Sequence, residues 1–82
     1  MEVTGTIHKI EELQTFNEFT KQNLIIKTNE QYPQFLNIEF HKDKTTLLNS
    51  KQVGETVTVG INLRGKEYNG KYYNSFIGWK IA

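Results

Sequence analysis

Apolar positions along the chain recur mostly with period two, and Val, Ile, Thr, Tyr and Phe dominate the runs. This pattern predicts strands. A first strand spans about Glu2 to Leu13, with Val3, Gly5 and Ile7 on one face. Its phase then slips to Ile10 and Leu13; with the internal glycine, that slip predicts a bulged or sharply coiled strand. TFNEF (15–19) reads as a loop tip. A second strand runs from Thr20 to Thr28, with Leu24 and Ile26 on the face of Thr20, Gln22 and Thr28. Lys21, Asn23, Ile25 and Lys27 occupy its other face. NEQYP (29–33) is a turn, because Pro33 forbids a helix before it and cannot donate a ladder hydrogen bond. The third strand, Phe35 to Phe40, alternates Leu36, Ile38 and Phe40 against Phe35, Asn37 and Glu39.

DKTTLLNSKQVG (43–54) breaks the alternation. Asp43 as an N-cap, Leu47 and Leu48 as an apolar side and Gly54 as terminator predict one or two helical turns serving as a plug. Val57, Val59, Ile61 and Leu63 mark a fourth strand, and Ile77, Trp79 and Ile81 a fifth. With no repeat, linker or low-complexity segment, residues 1–82 form a single domain of order β-β-β-short α-β-β. The expectation is an all-β, five-stranded OB-fold barrel with its short helix between strands three and four, which removes the open edges of a small sheet. An SH3-like barrel competes, but it would not normally place a helix there.

Composition narrows the chemistry. A chain of 82 residues buries only about 60–65% of its unfolded surface, and without cysteine it has no disulfide or thiolate zinc site to help. The absence of cysteine fits a reducing compartment. No apolar run approaches the roughly 20 residues that span a bilayer, and MEVTGTIHKI lacks the regions of a signal peptide. The expectation is a cytoplasmic protein that does not engage membrane. Net charge is +1, but residues 1–18 carry four glutamates against Lys9 alone, whereas residues 19–82 carry nine Lys/Arg against five acids. That asymmetry permits a basic face.

The densest stretch, NLRGKEYNGKYYNSF (62–76), sets Arg64, Lys66 and Lys71 among four aromatics around Asn69-Gly70. A two-residue turn there puts Lys80 opposite the apolar Val59, which conflicts with both strands' faces. A three-residue loop, Tyr68-Asn69-Gly70, with Gly70 as a bulge, sorts the pattern: Val59–Trp79, Ile61–Ile77 and Leu63–Ser75 inward, Asn62–Phe76, Arg64–Asn74 and Lys66–Tyr72 outward. A bulge at Gly65 with a two-residue turn also corrects the phase. In the favoured register Trp79 enters the core, and Tyr73 caps one end of the barrel.

Catalysis finds little support. A Ser/His/Asp triad would need the single Asp, Asp43, already the expected helix cap. His8 and His41 lie on separate strands without ligand-spaced carboxylates or thiolates, and Glu11 and Glu12 point to opposite faces. Neither an enzyme nor a metal or cofactor site is expected. Binding fits better, because an OB barrel presents a ligand surface on strands two and three flanked by two loops. That surface draws on Lys21, Lys27 and Phe35, and on Arg64, Lys66, Tyr68, Lys71, Tyr72, Asn74 and Phe76 of the hairpin. Cations displace counterions from phosphates, and bases stack on exposed rings. The expected partner is single-stranded DNA, with RNA open. Phe35 and Phe76 bind ligand or form an oligomer interface.

EQYPQ (30–34), VGETVTVGINLRGKEY (53–68) and YYNSFIGWKI (72–81) resemble the small bacterial family catalogued as domain of unknown function 3127. The resemblance runs from MEVTG to Ile81, and QYPQ and NLRGKEY are its most specific pieces. It implies an OB-fold that binds single-stranded DNA. The chain stops at Ala82, without the low-complexity extension of many members or the acidic tail of general single-strand-binding proteins. A compact barrel of this kind fits a phage-encoded homologue without a recruiting role.

Overall fold

The computed structural model describes residues 1–82. Six strands form: β1 (Glu2–Ile10), β2 (Gln14–Phe16), β3 (Phe19–Lys27), β4 (Phe35–His41), β5 (Thr56–Tyr68) and β6 (Lys71–Ile81). A 3₁₀ helix, Lys42–Leu48, joins β4 to β5. The sheet order is β1-β5-β6-β4-β3-β2, and β1 pairs with β3 as well as β5, so β1, β5, β6, β4 and β3 close on themselves. This is the OB-fold, a five-stranded barrel with β2 added as a short outer strand. The only parallel contact in it, β4 against β6, is two pairs long: Ile38 with Phe76 and Glu39 with Ile77. No helix is long and apolar enough to cross a membrane.

Ile7, Leu24, Ile26, Ile38, Phe40, Leu48, Val57, Val59 and Ile61 form the buried core. Alternation explains most of the set, since each of β3, β4 and β5 contributes every second residue to the interior. The phase slip in the first strand is a bulge. Ile7 pairs with Ile26 and Lys9 with Ile25, leaving His8 as the extra residue, so Ile7 and Ile10 both face inward. The strand ends at Ile10, short of Leu13. The tip at TFNEF is itself a small hairpin, Phe16 pairing with Phe19 across Asn17-Glu18.

The plug forms through Leu48, which is buried, and Leu47, which packs beside it. Its start differs from expectation. Asp43 lies inside the first turn, His41 holds the N-cap position without a side-chain cap bond, and the helix stops at Leu48 rather than running toward Gly54. A 3₁₀ helix needs less capping because its tighter bonds enclose fewer residues, and Thr45 and Thr46 hydroxyls donate to the Lys42 and Asp43 carbonyls.

The β5–β6 register differs from the favoured expectation throughout. Tyr68 pairs with Lys71 across a two-residue turn, with φ of 51° at Asn69 and 76° at Gly70, the twist a type I′ turn requires. The conflict at Val59 is removed elsewhere, by a bulge at Trp79: Gly60 pairs with Lys80 but Ile61 pairs with Gly78. Val59 therefore faces Ile81, not Trp79 or Lys80. Trp79 is excluded from the core and is 43% exposed. A Cβ on Gly60 would lie 2.9 Å from its ring, so the indole occupies the shelf that this glycine leaves on the outer wall. Lys80 Nζ sits 5.0 Å from the indole centroid and 2.7 Å from Glu2 Oε2. The hydrogen bond and charge of Lys80 hold the Glu2 carboxyl below its ordinary pKa.

The volume the indole would have filled inside goes to Phe40. Its ring is fully buried against Gly78, where a Cβ would approach to 2.4 Å. Beyond Ile61 and Phe76 the two strands leave the barrel and continue as an exposed ribbon to the Asn69-Gly70 turn. Leu63 and Tyr73, expected inside, are therefore 55% and 47% exposed.

Candidate nucleic-acid interface

Cross-strand register gathers one outer face from four strands. Lys21 of β3 pairs with His41 of β4, Asn23 with Glu39, Ile25 with Asn37 and Lys27 with Phe35. Glu39 pairs in turn with Ile77 of β6. Further along β6, Ser75 pairs with Arg64 and Tyr73 with Lys66 of β5. Paired residues project to the same side, so the face runs unbroken from the barrel wall onto the ribbon.

At one end stands Phe35, 58% exposed. The bulged His8 meets it edge-on, with centroids 4.9 Å apart and planes at 68°, and Lys27 Nζ lies 5.9 Å from its centroid. The bulge in β1 thus turns a histidine toward this ring. Across the middle, Asn23 Nδ2 donates to Asn37 Oδ1 at 2.7 Å. Next, His41 Nε2 donates to Glu39 Oε1 at 3.0 Å, with Lys21 Nζ 3.9 Å from the same oxygen. Phe19 packs on the His41 ring at 5.0 Å, tying the β2–β3 tip to the face.

At the ribbon end, Glu39, His41, Arg64, Gly65, Lys66, Tyr73, Ser75 and Ile77 line a cavity of about 330 Å³. Lys66, Tyr68 and Tyr73 line a smaller one of about 260 Å³ beside it. Five cations, Lys21, Lys27, Arg64, Lys66 and, at the tip, Lys71, share this face of β3, β4, β5 and β6 with one acid, Glu39. The Lys21–Glu39 contact is partly solvated, and such pairs contribute about 0–1 kcal/mol, so Lys21 is readily released to another anion. Chemically, the face offers separated cations to a polyanion and exposed rings to planar groups.

Of the residues singled out from the sequence, Lys21, Lys27, Phe35, Arg64, Lys66, Tyr68 and Lys71 fall on this side, Lys71 at the tip opposite Tyr68. Tyr72, Asn74 and Phe76 do not. They pair with Glu67, Gly65 and Leu63, on the reverse side of the ribbon, because the two-residue turn shifts β6 by one position. Phe76 moreover packs partly against the core, beside its partner Ile38. Tyr73, Glu39 and His41 take their place in the site. The Asn-Gly pair was the signal for Tyr73, being the strongest short hairpin signature. For His41, extending the third strand by one residue suffices.

The family described as "Domain of unknown function (DUF3127)" matches residues 2–82. No curated protein matches the sequence significantly. Among solved structures, the second single-stranded DNA-binding protein (SSBb) of Mycobacterium smegmatis is similar in fold, with TM-score 0.75 and 13% identity; the match covers 100% of this chain and 81% of that one. The dimeric N-terminal domain of PriB from Thermoanaerobacter tencongensis gives TM-score 0.72 and 18% identity, covering 100% and 91%. A small single-stranded DNA-binding protein from Streptomyces coelicolor gives 0.61 and 14%, covering 100% and 90%.

Proposed function

We infer a function on the premise that the chain belongs to the DUF3127 family, whose description names no activity. We propose that it binds single-stranded DNA, largely without sequence preference, as a non-catalytic component of replication, recombination or repair. The observation that carries this reading is the continuous outer face of β3, β4, β6 and β5. It sets Lys21, Lys27, Arg64 and Lys66 on the same side as the exposed rings of Phe35, Tyr68 and Tyr73. Phosphates would lie along the cations and bases against the rings, each stacked base contributing roughly 1–3 kcal/mol. Two neighbours in fold are single-stranded DNA-binding proteins by name, which supports the same reading.

Fluorescence anisotropy of labelled oligo-dT, its RNA counterpart and a duplex, at two salt concentrations, tests it. Salt-sensitive binding of a single strand is expected, and its absence for both DNA and RNA would sink the proposal. Preference for the RNA strand would redirect it. The reverse side of the ribbon favours a second reading, an oligomerisation or partner module, because Leu63 and Tyr72 are both exposed on that side. Sedimentation of the free protein measures that.

A further inference from the structure

Glu39 is out of place on a surface meant only for phosphates. It sits where β3, β4 and β6 meet, opposite Asn23 on one side and Ile77 on the other, with its side chain only 23% exposed. Both its contacts, from His41 and from Lys21, fall on Oε1, leaving Oε2 to an incoming group. This carboxylate helps line the cavity of about 330 Å³, whose opposite side is formed by Arg64, Lys66 and Tyr73 on the ribbon. A volume of that size is at the lower end for small-molecule sites.

An ionised carboxylate has only acceptors, so it repels a phosphate and receives N–H donors. The cations of the same cavity, Arg64 and Lys66, are on the exposed ribbon, and Lys66 is the cross-strand neighbour of Tyr73. The polarity of the cavity therefore runs from a cationic, aromatic rim to an inner end where Glu39 Oε2 is a free acceptor. A nucleotide suits that gradient in one direction, with its phosphate at the rim, its ring against Tyr73 and its donor edge toward Glu39.

We propose that this cavity takes a single base carrying an amino group on its pairing edge, cytosine, adenine or guanine, in preference to thymine or uracil. The proposal rests on the single-strand-binding reading and adds one selective position to an otherwise tolerant face. A Glu carboxylate accepting from cytosine N4 is a known direct-readout pairing. Uracil and thymine present a carbonyl oxygen at the same position, and their one donor on that edge, N3–H, lies between two carbonyl oxygens that repel the carboxylate.

The test compares labelled deoxycytidine and deoxyuridine homopolymers of about a dozen nucleotides, which differ only on the pairing edge, where the amino group becomes a carbonyl and the N3 acceptor becomes an N–H. Wild-type protein should bind the deoxycytidine strand about tenfold tighter at neutral pH. Glu39→Gln, whose amide both donates and accepts, should bring the two strands near parity. Equal binding by the wild type, or a preference that survives Glu39→Gln, would overturn the pocket but leave single-strand binding standing. If neither strand binds in a salt-sensitive way, the binding reading falls and the pocket with it. The wild-type comparison needs no variant, and the urea midpoint of Glu39→Gln checks that the variant is folded.

Discussion

Lys66 and Tyr73 are cross-strand partners in the β5–β6 ribbon, so cation and ring project from the same side. Tyr72, one residue earlier, projects from the other. Single-strand affinity should therefore separate the two tyrosines. Tyr73→Ala should weaken oligo-dT binding by roughly 1–3 kcal/mol without altering the salt slope, while Tyr72→Ala should change it far less. Lys66→Ala should weaken binding and reduce the slope of log K against log salt by about 1. A larger loss for Tyr72 than for Tyr73 would contradict the register.

Stability should be most sensitive where Gly78 meets Phe40. Any Cβ at position 78 enters the space of a fully buried ring, and the ring has no exit. Gly78→Ala should cost about 3 kcal/mol, the upper part of the range for overpacked cores, read as a lower urea midpoint. Phe40→Ala should cost about 3–5 kcal/mol by leaving a cavity. The double variant should be less destabilised than the two losses summed, since each relieves the other's defect.

At the ribbon tip the expected effect is local. Gly70 has φ of 76°, and an alanine there would bear a penalty of about 1–2 kcal/mol. Because the tip has no core contact, Gly70→Ala should accelerate amide hydrogen exchange across residues 63–73 and weaken oligonucleotide binding. The global unfolding midpoint should hardly move.

Trp79 offers an internal control. It lies over Gly60, on the wall shared with Glu2 and Lys80 and away from the Lys21–Phe35 face. Its fluorescence should respond to unfolding but not be quenched by saturating oligo-dT. Trp79→Phe should leave binding intact, and strong quenching or lost binding would place the ligand on the wrong wall.

The Glu2–Lys80 pair sets a pH dependence of definite sign. Because folding depresses the Glu2 pKa, its contribution is present above the ordinary carboxylate range and is lost as pH falls through the depressed value. Glu2→Gln should thus be slightly less stable than wild type at neutral pH and indistinguishable from it in strong acid. The difference should shrink with added salt, since the pair is exposed.

Most of the barrel was legible from alternation alone. Leu24, Ile26, Ile38, Phe40, Val57, Val59 and Ile61 reach the interior as their spacing indicates, and the slip after Ile7 announced the bulge at His8. What alternation cannot locate is a second bulge in a strand carrying no sign of one. Trp79 is apolar, in phase with Ile77 and Ile81, and flanked by nothing that marks a break except Gly78. The conflict between Val59 and Lys80 was visible, but moving the turn and bulging the strand both relieve it. Only packing decides between them, because Phe40 needs the room above Gly78. The consequence fell on the site, since every ribbon residue of β6 beyond the bulge changed sides. Residues of the candidate face on β3 and β4, where no such choice arose, were placed correctly.

β5 and β6 run from the core to the ribbon tip without an interruption in β5, so the segment that holds Val57, Val59 and Ile61 also holds Arg64, Lys66 and Tyr68. Mechanically this is a cantilever, clamped near Ile61 and Gly78 and free at Asn69. Load applied at the tip is borne at the root, where the clamp is the same packing that keeps the barrel folded. Anything that steadies the free end therefore damps motion in the wall, and anything that loosens Phe40 blunts the aim of Lys66 at a distance.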